Sequence, residues 1–189
     1  MKTPAELART GLAKDRRRSQ FGILCLTERA DNHLMWVNYA RNHTGFVIGF
    51  RTSSPFFQAG GTRLRKVKYK LPPSDSPQEN ACFYKPPDWK YEKEWRSVRT
   101  FSDSEDRLVT LDDENLIAEI IFGHRMRDGD ISEIVSHAEA LTKTSSSAAL
   151  AFFQSAPDHT KWKFANSPRA FECCNHCHGR GFLLDNKKP

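Results

Sequence analysis

The sequence lacks any apolar run that approaches the ~20 residues needed by a membrane-spanning helix. Its longest apolar runs, Phe21–Leu26 and Ala148–Phe153, have the length of buried strands instead. The first residues also lack the charged and then apolar layout of a secretion signal. We therefore expect a cytoplasmic protein that does not enter a membrane.

The sequence contains no internal repeat. Apolar residues, by contrast, are well represented. Hydrophobic residues make up 38% of the chain and aromatic residues 11%. This supply is enough to build a core, which excludes wholesale disorder. A chain of 189 residues fits one domain with an appendage better than two full domains. We predict an N-terminal helix and basic segment at residues 1–20, a core at 21–155 and a C-terminal tail at 156–189.

Acidic residues are absent from residues 51–70, which contain six Lys and Arg side chains. Residues 1–20 contain six more against two acids, whereas Asp103–Glu119 contains seven acids and one Arg. The net charge of the whole chain is +6. Such a chain attracts polyanions, so nucleic acid or a phosphate-bearing small molecule is an expected partner. The alternative is a solvated surface, because no RNA- or DNA-binding motif is present.

Hydrophobic periodicity predicts an α+β fold with a mixed or antiparallel sheet and a few flanking helices. Residues 156–171 are expected to be mostly irregular. The predicted strands are Phe21–Thr27, Phe46–Phe50, Leu64–Tyr69, Trp95–Phe101, Ile117–Phe122 and Ala148–Phe153.

Capping residues predict three helices. Thr3-Pro4-Ala5-Glu6 is a capping box near the start of the chain. Asp31 is the expected N-cap of a helix that runs to about Asn42. Asp130 is the expected cap of a third helix. The apolar stripe of that helix comprises Ile131, Ile134, Val135, Ala138 and Leu141.

Glu92 and Glu94 form a pair of carboxylates within Tyr91–Arg99, the segment richest in reactive side chains. If the segment is extended, a period of two places Glu92, Glu94 and Arg96 on one side. One carboxylate could then bind a substrate hydroxyl while the other stabilises developing positive charge. The alternative is a structural ladder in which Glu94 pairs with Arg96 and Trp95 lies in the core.

These residues belong to a longer pattern that resembles the bacterial domain of unknown function numbered 2971. The resemblance covers roughly residues 21 to 142. Members usually have a longer stretch ahead of the strand that corresponds to Phe21–Thr27, so a shortened, inactive relative is one alternative. The pattern consists of Thr27-Glu28, Asp31-Asn32, Met35-Trp36-Val37-Asn38-Tyr39-Ala40, His43-Thr44-Gly45-Phe46, Lys85, Trp89, Tyr91-Glu92-Lys93-Glu94-Trp95-Arg96 and Ile120-Ile121-Phe122-Gly123.

A second resemblance is to ADP-ribosyltransferase-like toxins, which use NAD. Carried over from that family, Thr27 is the hydroxyl residue at a strand end and Tyr39 an aromatic wall of the cofactor site. Glu94 is the catalytic carboxylate, and Glu92 assists it. Those enzymes also hold the cofactor phosphate with an Arg or His on an early strand, and no residue here fills that role.

His43 and Trp36 are further candidates for the cofactor site. His43 could carry a proton or bind a phosphate, although a His near a helix end often complements the helix dipole instead. Trp36 could be a ligand platform or a core residue.

Five cysteines, an odd number, argue against a disulfide framework. Cys25 and Cys82 stand alone in apolar surroundings and are predicted to be buried thiols. Cys174 and Cys177 lie in a Cys-x-x-Cys-x-Gly-x-Gly segment that resembles one repeat of the zinc-binding region of DnaJ-type chaperones. Two such thiolates can hold one side of a tetrahedral zinc.

The C-terminal segment therefore predicts a small zinc-knuckle-like tail, with His178 as a third ligand. A structural zinc ion needs four ligands, and the sequence contains no second Cys-x-x-Cys. A tail with free thiols is the alternative. The candidates that could complete the site are Cys173, His176, His178, His159 or the same motif of another subunit.

Two functions from different classes follow. The first is an ADP-ribosyltransferase-like enzyme of toxin or phage-defence type that uses NAD. The second is a non-enzymatic basic module that binds nucleic acid or a protein partner through residues 51–70 and the C-terminal knuckle.

Overall fold

The computed structural model describes residues 21–58, 64–75, 77–101, 109, 113, 115–142, 150–161 and 163–168. It confirms the α+β class. The strands are β1 Phe21–Thr27, β2 Phe46–Phe50, β3 Arg65–Lys66, β4 Glu94–Thr100, β5 Ile117–Phe122, β6 Ala151–Asp158 and β7 Lys163–Pro168. The helices are α1 His33–Tyr39, α2 Gln78–Ala81 and α3 Asp128–Thr142, with 3₁₀ helices at Pro55–Phe57 and Pro87–Glu92.

The described residues divide into two compact units, and each is presented by itself. Unit 1 comprises the residues up to Arg29 and those from Ser53 to Asp113. Unit 2 comprises Ala30 to Thr52 and the residues that follow Asp113. The predicted core of residues 21–155 therefore contributes to both units.

Unit 1 contains an antiparallel sheet in the order β1-β4-β3. Thr27 lies opposite Glu94, and Cys25 lies opposite Arg96. Since directly paired residues share a face, these four side chains project from the same side of the sheet. The buried apolar side chains of the unit are Phe57, Val67, Phe83 and Phe101.

Unit 2 contains a four-stranded mixed sheet in the order β2-β5-β6-β7, in which only β5 and β6 are parallel among the described strands. Successive residues of β5 face opposite sides and both sides are covered, which explains why its sequence is apolar except at Glu119. Ile121 packs with Trp36 of α1, with the C-cap residue Ala40 and with Phe164. Ile120 and Phe122 belong to a second cluster, whose other buried members are Ile131, Val135, Ala138, Leu150 and Phe152.

The ends of the helices differ from the sequence prediction. The N-cap of α1 is Asn32 rather than Asp31, and its side chain accepts a hydrogen bond of 2.9 Å from the Leu34 amide. The helix ends at Tyr39 instead of about Asn42 because residues 41, 42 and 43 have left-handed φ angles of 48°, 52° and 68°. Helix α3 begins two residues before the predicted cap, Asp130.

Some predictions about burial and backbone are wrong. The strand Phe21–Thr27 forms, but Ile23 and Leu24 in its middle are 43% and 37% exposed. Cys25 is exposed and Cys82 half-buried. Irregular backbone was expected for residues 156–171, but the described residues of this range include the end of β6 and β7, which pair with each other. The predicted N-terminal helix lies outside the described residues.

Among the described residues, no helix has both the length and the apolar character that crossing a membrane requires.

Candidate functional site

Glu92 and Glu94 converge on one cation in unit 1. The Lys85 ammonium contacts Glu92 Oε2 and lies 3.2 Å from Glu94 Oε2. The segment is not extended as the sequence suggested, because Glu92 ends a 3₁₀ helix and Glu94 begins β4. Lys93 between them is left-handed, with φ 50° and ψ 48°. This turn, rather than strand alternation, brings the two carboxylates together.

Arg96 completes this buried ion cluster of Lys85, Glu92, Glu94 and Arg96. Its Nε and Nη2 atoms donate to Glu94 Oε1 and Oε2 at 2.7 and 3.1 Å, a two-point contact that is stronger than a single hydrogen bond. Its Nη1 donates to the Cys82 carbonyl. Glu92 and Glu94 are only 2% and 5% exposed. Two carboxylates thus face two cations, and the cluster has no net charge.

The electrostatics of the cluster favour the ionised forms of Glu94 and Lys85. Burial opposes ionisation of Glu94, but hydrogen bonds from Arg96, Cys25 and Lys85 outweigh it and lower the pKa of the carboxyl. Burial likewise opposes the charge of Lys85, but its bonds to Glu92 and Glu94 raise its pKa. Glu94 is therefore not favoured as a proton-donating carboxylic acid, and its pairing with Arg96 agrees with the structural ladder.

Thr27 lies beside the ion cluster but makes backbone contacts. Its hydroxyl donates to the Glu92 carbonyl at 2.6 Å and accepts from the Arg29 amide at 3.1 Å. Tyr69 plays a similar part, because its hydroxyl accepts from the Glu94 amide at 2.7 Å. These bonds hold the chain on both sides of the left-handed turn at Lys93.

The structural-ladder alternative predicts that Trp95 lies in the core, and this part of it is wrong. It is half-buried, and its indole nitrogen donates to Glu28 Oε2 at 3.0 Å. Glu28 also pairs with Lys66 at 3.0 Å.

The predicted cofactor residues Trp36, Tyr39 and His43 belong to unit 2, and the two carboxylates belong to unit 1. Trp36 is 1% exposed and its indole nitrogen donates to the Ala30 carbonyl at 2.7 Å, which agrees with a core role. Tyr39 is 61% exposed. His43 is 3% exposed and follows the helix end by four residues.

His43 is the centre of an imidazole cluster with His33 and His124, which the sequence did not predict. Its ring centroid lies 5.1 Å from that of His33, 4.8 Å from His124 and 4.7 Å from Phe164. Neither ring nitrogen of His43 has a hydrogen-bond partner among the described residues. Residues 33, 43 and 124 show no common spacing in the sequence, so only the fold could reveal their contact.

The imidazole cluster disfavours a charged His43. Burial, followed by the neighbouring His124, His33 and Arg125, lowers the pKa of His43 to about 4. The ring is therefore neutral near pH 7 and does not supply the positive charge that complements a helix dipole. The lowered pKa does not support the helix-dipole interpretation of His43.

Metal ligation receives no support within the described residues. No group of three or more His, Cys, Asp or Glu side chains there could hold a metal ion. Cys174, Cys177 and His178 lie outside the described residues, so the zinc-knuckle-like tail stays a prediction.

A basic ridge, defined as Arg65, Lys66, Lys68 and Lys70, comprises residues of β3 and of the segment that follows it in unit 1. All four side chains are exposed, and β3 pairs with β4 on one side only among the described strands. Three of the cations lie over aromatic rings. Arg65 is 4.0 Å from the Phe83 ring centroid, Lys66 5.3 Å from Trp95 and Lys68 5.6 Å from Tyr84. The sequence indicated the charge of this segment but not its aromatic support.

Comparison of the chain with protein-family models, with curated proteins and with solved structures yields no significant match. The resemblances to the 2971 domain, to ADP-ribosyltransferase-like toxins and to the DnaJ zinc repeat therefore remain predictions.

Proposed function

We propose that unit 1 binds nucleic acid through the basic ridge. The observation that carries the proposal is a row of exposed cations with uncompensated charge. Lys66 pairs with Glu28, but Arg65, Lys68 and Lys70 have no acidic partner in the part of the chain that the structure describes. Phosphates of a nucleic-acid backbone are the complementary ligand for such a row.

Aromatic rings support the cations of the ridge in an outward position. A cation above a ring is attracted to the π-face, and the contact restricts the rotamers of a long side chain. Arg65 is further fixed by a hydrogen bond of 3.1 Å to the Asn80 side chain. Because less side-chain freedom remains to be lost, phosphate binding costs less entropy than it would with free lysines.

The transferase hypothesis has weaker support from the geometry. It requires Glu94 as a carboxylate that is available to a substrate, whereas Glu94 is 5% exposed and is bonded to Arg96 and Lys85. A substitution at Glu94 must therefore be measured for stability as well as for NAD cleavage.

The proposal is tested by fluorescence anisotropy with a labelled oligonucleotide at low salt. The test variant carries Arg65→Gln and Lys68→Gln. The control carries Arg127→Gln and Lys161→Gln, which remove the same charge from exposed side chains of unit 2. We expect the native chain and the control to bind and the test variant to bind at least tenfold more weakly, since it loses two phosphate contacts.

Two outcomes would overturn the proposal. One is a native chain that does not bind at low salt. The other is an equal loss of affinity in the test and control variants, which would mean that net charge alone drives binding. Thermal unfolding of all three proteins shows whether any loss comes from a damaged fold.

A further inference from the structure

We infer that the nucleic acid bound by this surface is single-stranded, because Trp89 presents an exposed indole beside the basic ridge on which an unpaired base can stack. The inference rests on the proposed function and adds to it the strandedness of the partner.

Trp89 stands out among the aromatic side chains of unit 1. It is 38% exposed, and no other aromatic side chain among the described residues of that unit is exposed. It lies in the 3₁₀ helix Pro87–Glu92, which follows Pro86. Prolines fix φ, so the backbone that carries the indole has few alternative conformations. A large ring held at the surface by a stiff turn is typical of a binding contact rather than of a core.

The buried ion cluster fixes the ring from one side. The Lys85 ammonium lies 4.7 Å from the Trp89 ring centroid and is held in turn by Glu92 and Glu94. Tyr91 lies near the same ring, with centroids 6.1 Å apart. The carboxylate pair therefore has a positioning role, because it anchors the cation that holds the indole in place.

Backbone hydrogen bonds place Trp89 close to the basic ridge. The Lys85 amide donates to the Lys68 carbonyl at 3.1 Å, and the Lys68 amide donates to the Phe83 carbonyl at 2.8 Å. The residue that holds the indole is thus bonded to a residue of the ridge. One strand of nucleic acid can place a phosphate on the ridge and a neighbouring base on Trp89.

Single-stranded and double-stranded nucleic acids differ in whether the faces of their bases are accessible to an aromatic side chain. In a duplex both faces of each base are covered by neighbouring pairs, whereas a single strand can turn a base outward. Aromatic platforms beside a basic groove bind single strands with little dependence on sequence, since every base has a π-face. A purely electrostatic ridge would instead bind any polyanion according to its charge density.

The test compares three probes by competition at one salt concentration. They are a thymidine oligomer of about 20 nucleotides, a mixed-sequence duplex of the same length and inorganic polyphosphate, which carries charge without bases. We expect the thymidine oligomer to bind most tightly. Trp89→Ala should weaken it roughly tenfold, in line with the loss of one base stack, and should leave duplex and polyphosphate affinity unchanged.

Leu71→Ala is the matched control, because Leu71 is 89% exposed and adjoins Lys70 but has no ring. Trp89→Phe should retain most of the affinity for the thymidine oligomer. Binding of all three probes in proportion to charge, or equal effects of the Trp89→Ala and Leu71→Ala changes, would overturn this inference while leaving nucleic-acid binding intact. Failure of every probe to bind would overturn both proposals.

Discussion

At Glu94, burial and charge compensation decide what the side chain does. Removing one member of a buried ion pair leaves the partner charge unpaired in a poorly solvated position. We predict that Glu94→Gln, which keeps the shape but removes the charge, lowers the free energy of unfolding by about 3 kcal/mol. Urea denaturation measures this loss directly.

Glu28→Gln is the control, because it removes a carboxylate of the same unit that has exposed partners. Little change in stability is expected from it. NAD cleavage, measured on the native chain and on Glu94→Gln, separates the two roles of Glu94. A Glu94→Gln protein with native stability and abolished NAD cleavage would support the transferase hypothesis and contradict the structural one.

His43 makes the stability of the protein sensitive to acid. Its pKa is about 4 in the folded chain against an ordinary 6.5, so the unfolded chain binds a proton more readily. The contribution of the neutral, buried His43 to the free energy of unfolding is therefore complete above pH 6.5 and is lost as the pH falls towards 4. The expected slope from this residue is roughly 1.4 kcal/mol per pH unit within that window.

The matched comparison uses His43→Phe and His137→Phe. The first removes the buried imidazole and should flatten the decline in stability between pH 6.5 and 4. The second removes an imidazole on the exposed face of α3 and should leave the decline unchanged. An identical pH dependence in the two variants would show that His43 does not cause the decline.

At the scale of elements, the contact between the end of β5 and the turn after α1 needs a glycine. A Cβ atom on Gly123 would lie 2.1 Å from the His43 carbonyl oxygen, which is a backbone atom and cannot turn aside. Gly123→Ala should therefore cost about 3 kcal/mol or more, as overpacking does at rigid sites.

Gly129→Ala, in contrast to Gly123→Ala, should raise the stability of the protein. Gly129 lies in the first turn of α3, and a Cβ there meets nothing within 4 Å. Alanine should stabilise the helix by roughly 0.5–1 kcal/mol. Thermal unfolding of the two variants should shift in opposite directions, and equal shifts would contradict this packing of Gly123.

Elements with a strong local pattern could be predicted from the sequence. Helix α3 repeats its apolar residues at helical spacing, and the stripe of Ile131, Val135 and Ala138 is buried. Strand β5 is apolar except at Glu119 because both of its faces are covered. In each case the local sequence and the fold favour the same structure, so periodicity was enough.

Contacts that depend on one unusual backbone residue could not be predicted. A left-handed Lys93 is uncommon for a residue with a Cβ, and the sequence gives no sign of it. An extended backbone at Lys93 predicts that strand alternation brings Glu92 and Glu94 together, whereas the left-handed turn does so in the structure. Lys85 is nine residues from Glu94, and its role as their shared partner follows from tertiary structure alone.

At the scale of the whole molecule, the two units carry different chemistry. Unit 1 combines a neutral ion cluster, the basic ridge and an exposed Trp89. Unit 2 combines a mixed sheet with an imidazole cluster in which His43 is buried and His33 and His124 are exposed. The chain has a net charge of +6, which attracts polyanions from a distance, but the placement of cations decides where they bind.

If Arg65, Lys68 and Lys70 bind backbone phosphates as proposed, the affinity for nucleic acid must depend on the salt concentration. For three phosphate contacts on a single strand, the logarithm of the association constant should fall with the logarithm of salt concentration with a slope of about −2. Replacing Arg65 and Lys68 with Gln should reduce the magnitude of that slope by about 1.4. A slope near zero, or one that the substitutions leave unchanged, would contradict the account.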